Sequence, residues 1–345
     1  MVVQFYYYVG RKMSKKIYTG VDIFKILAAL GVVAIHSNLI LFKTLGRLGV
    51  PYFVTISSFF FFKKFIALDD TSKKRKRFIK FEKRILYLLI CWDILYLPLA
   101  VRFLHNEIRD QGFSWRTIIG YLYHYFLAPA NTANGWGPSW YLIAMMIGLF
   151  FFILLKRIYK THFVLLGLTL GVIEIYYILA NEFGFITHLP NSGVHGFLRV
   201  MIYIYLGYLI AVKLPYFEKH SINSYLYIFI LMIVLFIIEN YVIYKLGGSS
   251  NSQEVITSVP TSLSSALLAI KWQPNFSHIS IRQFGTFLYC MQSYPLFVLA
   301  KYIKIDHLTG QIITFCLVIG FSLVTYWIYK WIRKETKWSF LGYAV

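Results

Sequence analysis

The chain is predicted to be all-α, a polytopic membrane protein folded as a bundle of about ten transmembrane helices. Of its 345 residues, 58% are hydrophobic and 14% charged. Mean hydropathy is +0.61, and a water-soluble fold of this size has too little interior to hide that much apolar surface. The apolar segments run to about 17 to 22 residues, the length at which a helix crosses a hydrocarbon core of about 30 Å. They lack the alternation of roughly ten-residue barrel strands, which leaves helices.

Candidate spans lie at approximately 22–42, 47–66, 85–101, 139–155, 163–180, 197–213, 224–245, 255–270, 283–300 and 311–330. The formal net charge of +21 sits beside these segments rather than apart from them, so membrane topology explains it before nucleic acid does. With the N-terminus inside, the cytoplasmic set receives the 63–84 connection, Lys156, Arg157, Lys160, Lys213, Lys219, Lys271, Arg282 and the final basic cluster. The external set is sparser, which predicts both termini in the cytoplasm. The densest run, Lys73 through Arg84, can also hold anionic lipid head groups. Residues 1–345 read as one integral-membrane domain, with a basic N-terminus over 1–20 and a tail over 331–345. The 102–138 connection is too apolar for a solvated loop and predicts an amphipathic or re-entrant piece. GGSSNSQE at 247–254 reads as a turn. Cys91, Cys290 and Cys316 fall in apolar segments without pairing or metal-ligand spacing and read as small core residues.

The first span, VDIFKILAALGVVAIHSNLILF, holds three ionisable residues, Asp22, Lys25 and His36. Charge inside hydrocarbon is costly and marks function. Eleven steps of about 100° carry Lys25 to His36 in three turns plus about 20°, and Asp22 is one turn before Lys25. All three share one helix face, with His36 about 16 Å from Lys25 along it. A histidine satisfied by helix packing is the plain alternative for His36. For Asp22 and Lys25 it is an ion pair that holds helices in register.

This opening helix resembles that of the acyltransferase family 3 proteins, in which a basic residue, ten residues and then His form the hallmark. Lys25 and His36 keep the spacing. Arg47, Gly49, Val50, Pro51, Tyr52 and Phe53, followed by Ser57, Ser58 and Phe59, resemble the family's second-helix motif. Softer likenesses follow at Lys83 and Arg84, Gly137 through Leu142, Leu206 through Tyr208, and Gly285 through Pro295. Lys25 stands where Arg is usual, Ser58 where Gly is usual, and Gln292 where His is frequent. The resemblance implies a membrane O-acyltransferase of the surface-polysaccharide type. It would carry an acetyl or other short acyl group from cytoplasmic acyl-CoA to a hydroxyl of an extracytoplasmic glycan, in a bacterial cytoplasmic membrane.

The residues permit that chemistry. An imidazole titrating near neutrality can take a hydroxyl proton and return it, so His36 is the candidate general base. An acyl-histidine is an alternative route. Lys25, Lys83 and Arg84 can face the phosphates of the donor. Arg47, at the predicted outer start of the second span, and Arg199, within the sixth, are candidates for acceptor binding, with lipid snorkelling as the alternative for Arg47. Glu239 is one candidate partner for Arg199. Trp136, Trp140 and Tyr141 can stack on sugar faces or anchor at the interface. His105, His124, His188 and His195 lack metal-ligand spacing, and no metal is expected. No phosphate loop, serine elbow or Cys/His dyad is evident. A homo-oligomer remains open, and the competing class is a transporter or exporter of an amino acid or lipid-linked saccharide through the same bundle.

Overall fold

The computed structural model describes residues 17–129, 136–159, 162–181, 193–248, 255–275, 279–336, 342 and 344–345. Residues 1–16, Lys160, His188 and most of the 247–254 turn lie outside these described residues. Thirteen α-helices are found among them, and no strand. In chain order they are α1 (Thr19–His36), α2 (Ile40–Gly46), α3 (Gly49–Ile66), α4 (Thr71–Gln111), α5 (Trp115–Phe126), α6 (Trp140–Tyr159), α7 (Phe163–Asn181), α8 (Phe197–Phe217), α9 (Ile222–Lys245), α10 (Ser258–Lys271), α11 (Ile279–Met291), α12 (Ser293–Leu299) and α13 (Leu308–Thr336). Short 3-10 turns, Gly137–Ser139 and Gly193–Gly196, precede α6 and α8.

Eight segments are long and apolar enough to cross a membrane: α1, α2 with α3, α4, α6, α7, α8, α9 and α13. Two of the ten predicted spans take another form. The one at 255–270 is the 14-residue α10, about 21 Å long and short of a full crossing. The one at 283–300 is divided into α11 and α12 at Gln292. Peripheral helices carry their apolar residues outward, as α9 does with Tyr227, Leu231, Val234, Ile238 and Tyr241. Hydroxyls lie inward, where they pair across helices: Thr55 Oγ1 of α3 and Ser262 Oγ of α10 are 3.0 Å apart. Such pairing replaces the hydrophobic drive that lipid removes.

The first predicted span stops sooner than 42. Ser37 Oγ donates back to the Val33 carbonyl at 2.9 Å, and Asn38 adopts φ 57°, a left-handed conformation that Asn tolerates. The chain then turns down along α1. Gly46 comes so close to Gly31 that a Cβ there would lie 2.1 Å from the Gly31 carbonyl oxygen. Arg47 and Leu48 continue with bonds to residues three back, Arg47 N to Thr44 O and Leu48 N to Leu45 O, and α3 runs antiparallel to α1 until Lys63 Nζ donates to Tyr18 Oη at 2.6 Å.

α4 has 41 residues, about 61 Å and twice the hydrocarbon thickness. Asp70 caps it by accepting from Ser72 N at 2.9 Å, and lysines and arginines propagate helix well. The basic part of the predicted 63–84 connection is therefore a helical stalk, and it marks one end of the bundle, called here the basic end. α5 then returns antiparallel along α4: Tyr121 Oη donates to the Ala100 carbonyl at 2.6 Å and Tyr125 Oη to that of Asp93 at 2.9 Å. This is an amphipathic piece within 102–138, one of the two forms expected there, with Thr117, Tyr121 and Tyr125 buried and Trp115, Ile119 and Phe126 exposed. The 331–345 tail begins as α13 and ends against α4, where Trp92 Nε1 donates to the Ala344 carbonyl at 3.1 Å.

Candidate active site

α1 and α11 run parallel and share a seam. At the basic end Arg282 grips Asp22 through Nε and Nη2, at 3.0 to 3.2 Å. One turn further along, a Cβ on Gly285 would meet the α1 backbone at Lys25 and Ile26, at 3.4 Å. Both contacts set the same register, so Gln292 comes alongside Val32 and Val33, one turn inward from His36. Gln292 follows Gly285 by seven residues, two turns, which puts it on the helix face that meets α1.

Asp22, Ala29 and Val33, on the His36 stripe of α1, are buried. His36 closes that stripe in the last turn of α1; the residue keeps accessible surface, yet the protein around it desolvates the ring. It therefore opens at the far end of the seam, not at mid-helix as a span of 22–42 places it. Arg47 stands close enough to act on it electrostatically. Arg47 itself lies between α2 and α3, inside the candidate span Phe42–Ile66 and not at its outer boundary. Gln292 is 0% exposed. Its Nε2 donates to the Tyr289 carbonyl at 2.8 Å, while its Oε1 has no hydrogen-bond partner.

At the basic end Lys25 is half-buried, with Nζ 5.8 Å from the centre of the Phe60 ring. The salt bridge of Asp22 is to Arg282 and not to the neighbouring Lys25. A planar fork fits a carboxylate in two contacts, which an ammonium one turn away cannot match. Arg84 and Arg282 both bear electrostatically on Lys25, and Lys83 is exposed on the same stretch of α4. One carboxylate thus stands among three cations, Lys25, Arg84 and Arg282, a net positive cluster at this end. Just outside it, burial and the nearby Glu218 push the Tyr18 phenol up to about 12, so the hydroxyl that receives the Lys63 bond is neutral.

The remaining predicted residues stand elsewhere. Arg199 lies 4.8 Å from the centre of the Trp140 ring, a cation–π contact. Glu239 does not meet Arg199; it accepts from Ile256 N at 2.8 Å and Thr257 N at 2.7 Å, where carboxylate charge suits the start of α10. Tyr141 belongs to a buried aromatic group with Phe53 and Tyr289, whose ring is 5.0 Å from that of Tyr141. Trp136 is 1% exposed and stacks on Tyr96 at 5.6 Å, in protein rather than at a lipid boundary. Among the described residues no group of His, Cys, Asp and Glu could hold a metal ion.

Sequence reasoning passed over Arg282 as a site residue, because only the fold brings it to Asp22. It also passed over Glu174 of α7, buried beside Tyr203, and Asp93, half-buried within α4. Both are carboxylates in apolar segments, so the rule that drew attention to Asp22 could have found them. A cavity of about 260 Å³ lies away from the seam, between Phe217, Tyr225, Ile270 and Lys271.

The family described as "Acyltransferase domain" matches residues 18–331. Over 92% of its length the chain is 21% identical to a serine/alanine racemase of Enterococcus gallinarum, and over 36% it is 31% identical to an amino-acid racemase of Enterococcus faecalis. It spans 46% and 19% of those proteins, less than half of either. No solved structure matches. The family match takes in α1 through most of α13, with Lys25, His36 and the seam between them, and so the chain belongs to the integral-membrane acyltransferase family 3.

Proposed function

We propose that the chain moves a short acyl group, acetyl in the simplest case, from an acyl-CoA at the basic end to a hydroxyl of a glycan at the far end. The basic end faces the cytoplasm of a bacterial cell, as the distribution of Lys and Arg favours. The observation that carries this reading is the seam itself: one helix face holds a cation cluster at one end and an accessible imidazole at the other. Lys25, Arg84 and Arg282, with Lys83 beside them, fit the several phosphate charges of coenzyme A. Its thiol-ended arm is long enough to span the roughly 16 Å from Lys25 to His36. His36 takes the proton of the acceptor hydroxyl as the oxygen attacks the thioester carbonyl. The Arg47 charge favours the oxyanion that forms. Collapse of that adduct breaks the carbon–sulfur bond, and the departing thiolate receives the proton from His36.

The test is transfer of radiolabel from acetyl-CoA to glycan by the purified full chain. His36→Ala should lower turnover by at least about a hundredfold, the low end of a general base's contribution, without loss of folded protein. Undiminished transfer by that variant would remove His36 from the mechanism. A second reading, passage of an amino acid, is favoured by the racemase names of the two relatives. Amino-acid flux into liposomes that hold no acyl donor would support it.

A further inference from the structure

Among the described residues, two buried oxygens toward the far end of the seam have no hydrogen-bond partner. The first is Gln292 Oε1. Its amide cannot be turned to cure this, because the Nε2 bond to the Tyr289 carbonyl would become an oxygen facing an oxygen. The second is Thr314 Oγ1 of α13, on a residue 2% exposed. Its place follows from Gln311, one turn away, whose Oε1 accepts from Ile40 N at the start of α2. Ile40 follows the turn that leaves His36, so Thr314 reaches the seam from α13 near the level where Gln292 reaches it from α11.

The chain is interrupted at this point, between α11 and α12, and the interruption is held from the side. Tyr96 Oη donates to the Cys290 carbonyl at 2.9 Å and accepts from Tyr294 N at 3.1 Å. The backbone of the break is thus supplied, while the Gln292 side chain is held in place and left with an open acceptor. A buried unsatisfied acceptor is costly. One amide acceptor and one hydroxyl, which both donates and accepts, near the level at which α1 ends in His36 and with no carboxylate of their own, suit an uncharged ligand rich in hydroxyl groups.

We propose that Gln292, with Thr314, forms a hydroxyl-binding subsite in which Gln292 Oε1 accepts a hydrogen bond from the acceptor and positions its reacting hydroxyl at His36. This rests on the acyl-transfer reading of His36. Gln292 and Thr314 carry no charge of their own and Arg47 stands near His36, so the subsite favours polyol and sugar hydroxyls over ammonium groups.

The test uses full-chain protein in lipid nanodiscs, with methyl β-D-glucopyranoside and N-acetylglucosamine as hydroxyl probes. Thermal unfolding is recorded with and without probe, and acyl transfer to the probes is measured as well, for the native chain, Gln292→Met and Thr314→Val. Methionine fills the same volume without an oxygen. The expected result is that Gln292→Met loses the upward shift that probe gives the native chain and raises the acceptor KM about tenfold at an unchanged donor KM. Thr314→Val should diminish the same probe shift.

The proposal is overturned if Gln292→Met keeps the full probe shift, or if the native chain shows no shift. If the native chain shifts with probe yet transfers no acyl group, the hydroxyl subsite stands and the acyl-transfer reading falls.

Discussion

At the scale of single residues, the Asp22–Arg282 pair shows how much depends on which cation a carboxylate meets. The Asp22 side chain is 9% exposed and that of Arg282 is 49% exposed, so the pair is buried from one side only. Loss of the arginine leaves the carboxylate without its hydrogen-bonded partner, with Lys25 one turn away as the nearby cation. Arg282→Leu should therefore cost about 2 kcal/mol, below the range for fully buried pairs because water reaches the arginine. The double variant Asp22→Asn, Arg282→Leu should recover most of that loss, as a double-mutant cycle by thermal unfolding would show. Spacing alone put Asp22, Lys25 and His36 on one face, and the structure keeps them there. It could not show that Asp22 pairs 260 positions away, or that Glu239 serves the start of α10 rather than Arg199. Ion pairs between distant segments depend on helix neighbours that no local spacing encodes.

At the scale of elements, the descent of α2 along α1 places Arg47. The contact is backbone on backbone at Gly31 and Gly46, and Gly49 is packed as tightly against Val32 and the Ala28 carbonyl. Gly46→Ala should cost about 1–3 kcal/mol through overpacking and reduce transfer by moving Arg47. Gly120→Ala is the control, because a Cβ at Gly120 of α5 meets nothing within 4 Å; there alanine should be neutral or stabilise by up to about 1 kcal/mol. Melting curves of both variants compare the two effects directly, and equal shifts would refute the close-packing account. The existence of these helices was legible from apolar runs, and α5 from its amphipathic pattern. Their ends were not. The stop after His36 comes from Ser37 and Asn38, and the division of the ninth span at Gln292 is stabilised by Tyr96, a residue of another helix.

At the scale of the whole molecule, α4 projects its basic first turns from one end, and α5 folds back from the other. If the basic end is cytoplasmic, a cysteine introduced by Lys76→Cys should react with a membrane-impermeant maleimide only after cells are opened. One introduced by Trp115→Cys should react in intact cells. The exposed Cys316 is replaced beforehand, and the reverse pattern would invert the orientation proposed for donor and acceptor. Composition and apolar run length determined by themselves that this is a helical membrane protein, because a bilayer imposes length and polarity on each span separately. The motif residues of the first two helices likewise pointed to the family. Only tertiary structure decided that α1 and α11 share a seam, that Arg282 joins the cation cluster, and that Gln292 and Thr314 are buried with unsatisfied oxygens. Those relations arise from packing between segments hundreds of residues apart, where one helix supplies the environment of another, and the order of residues along a chain does not state which surfaces will meet.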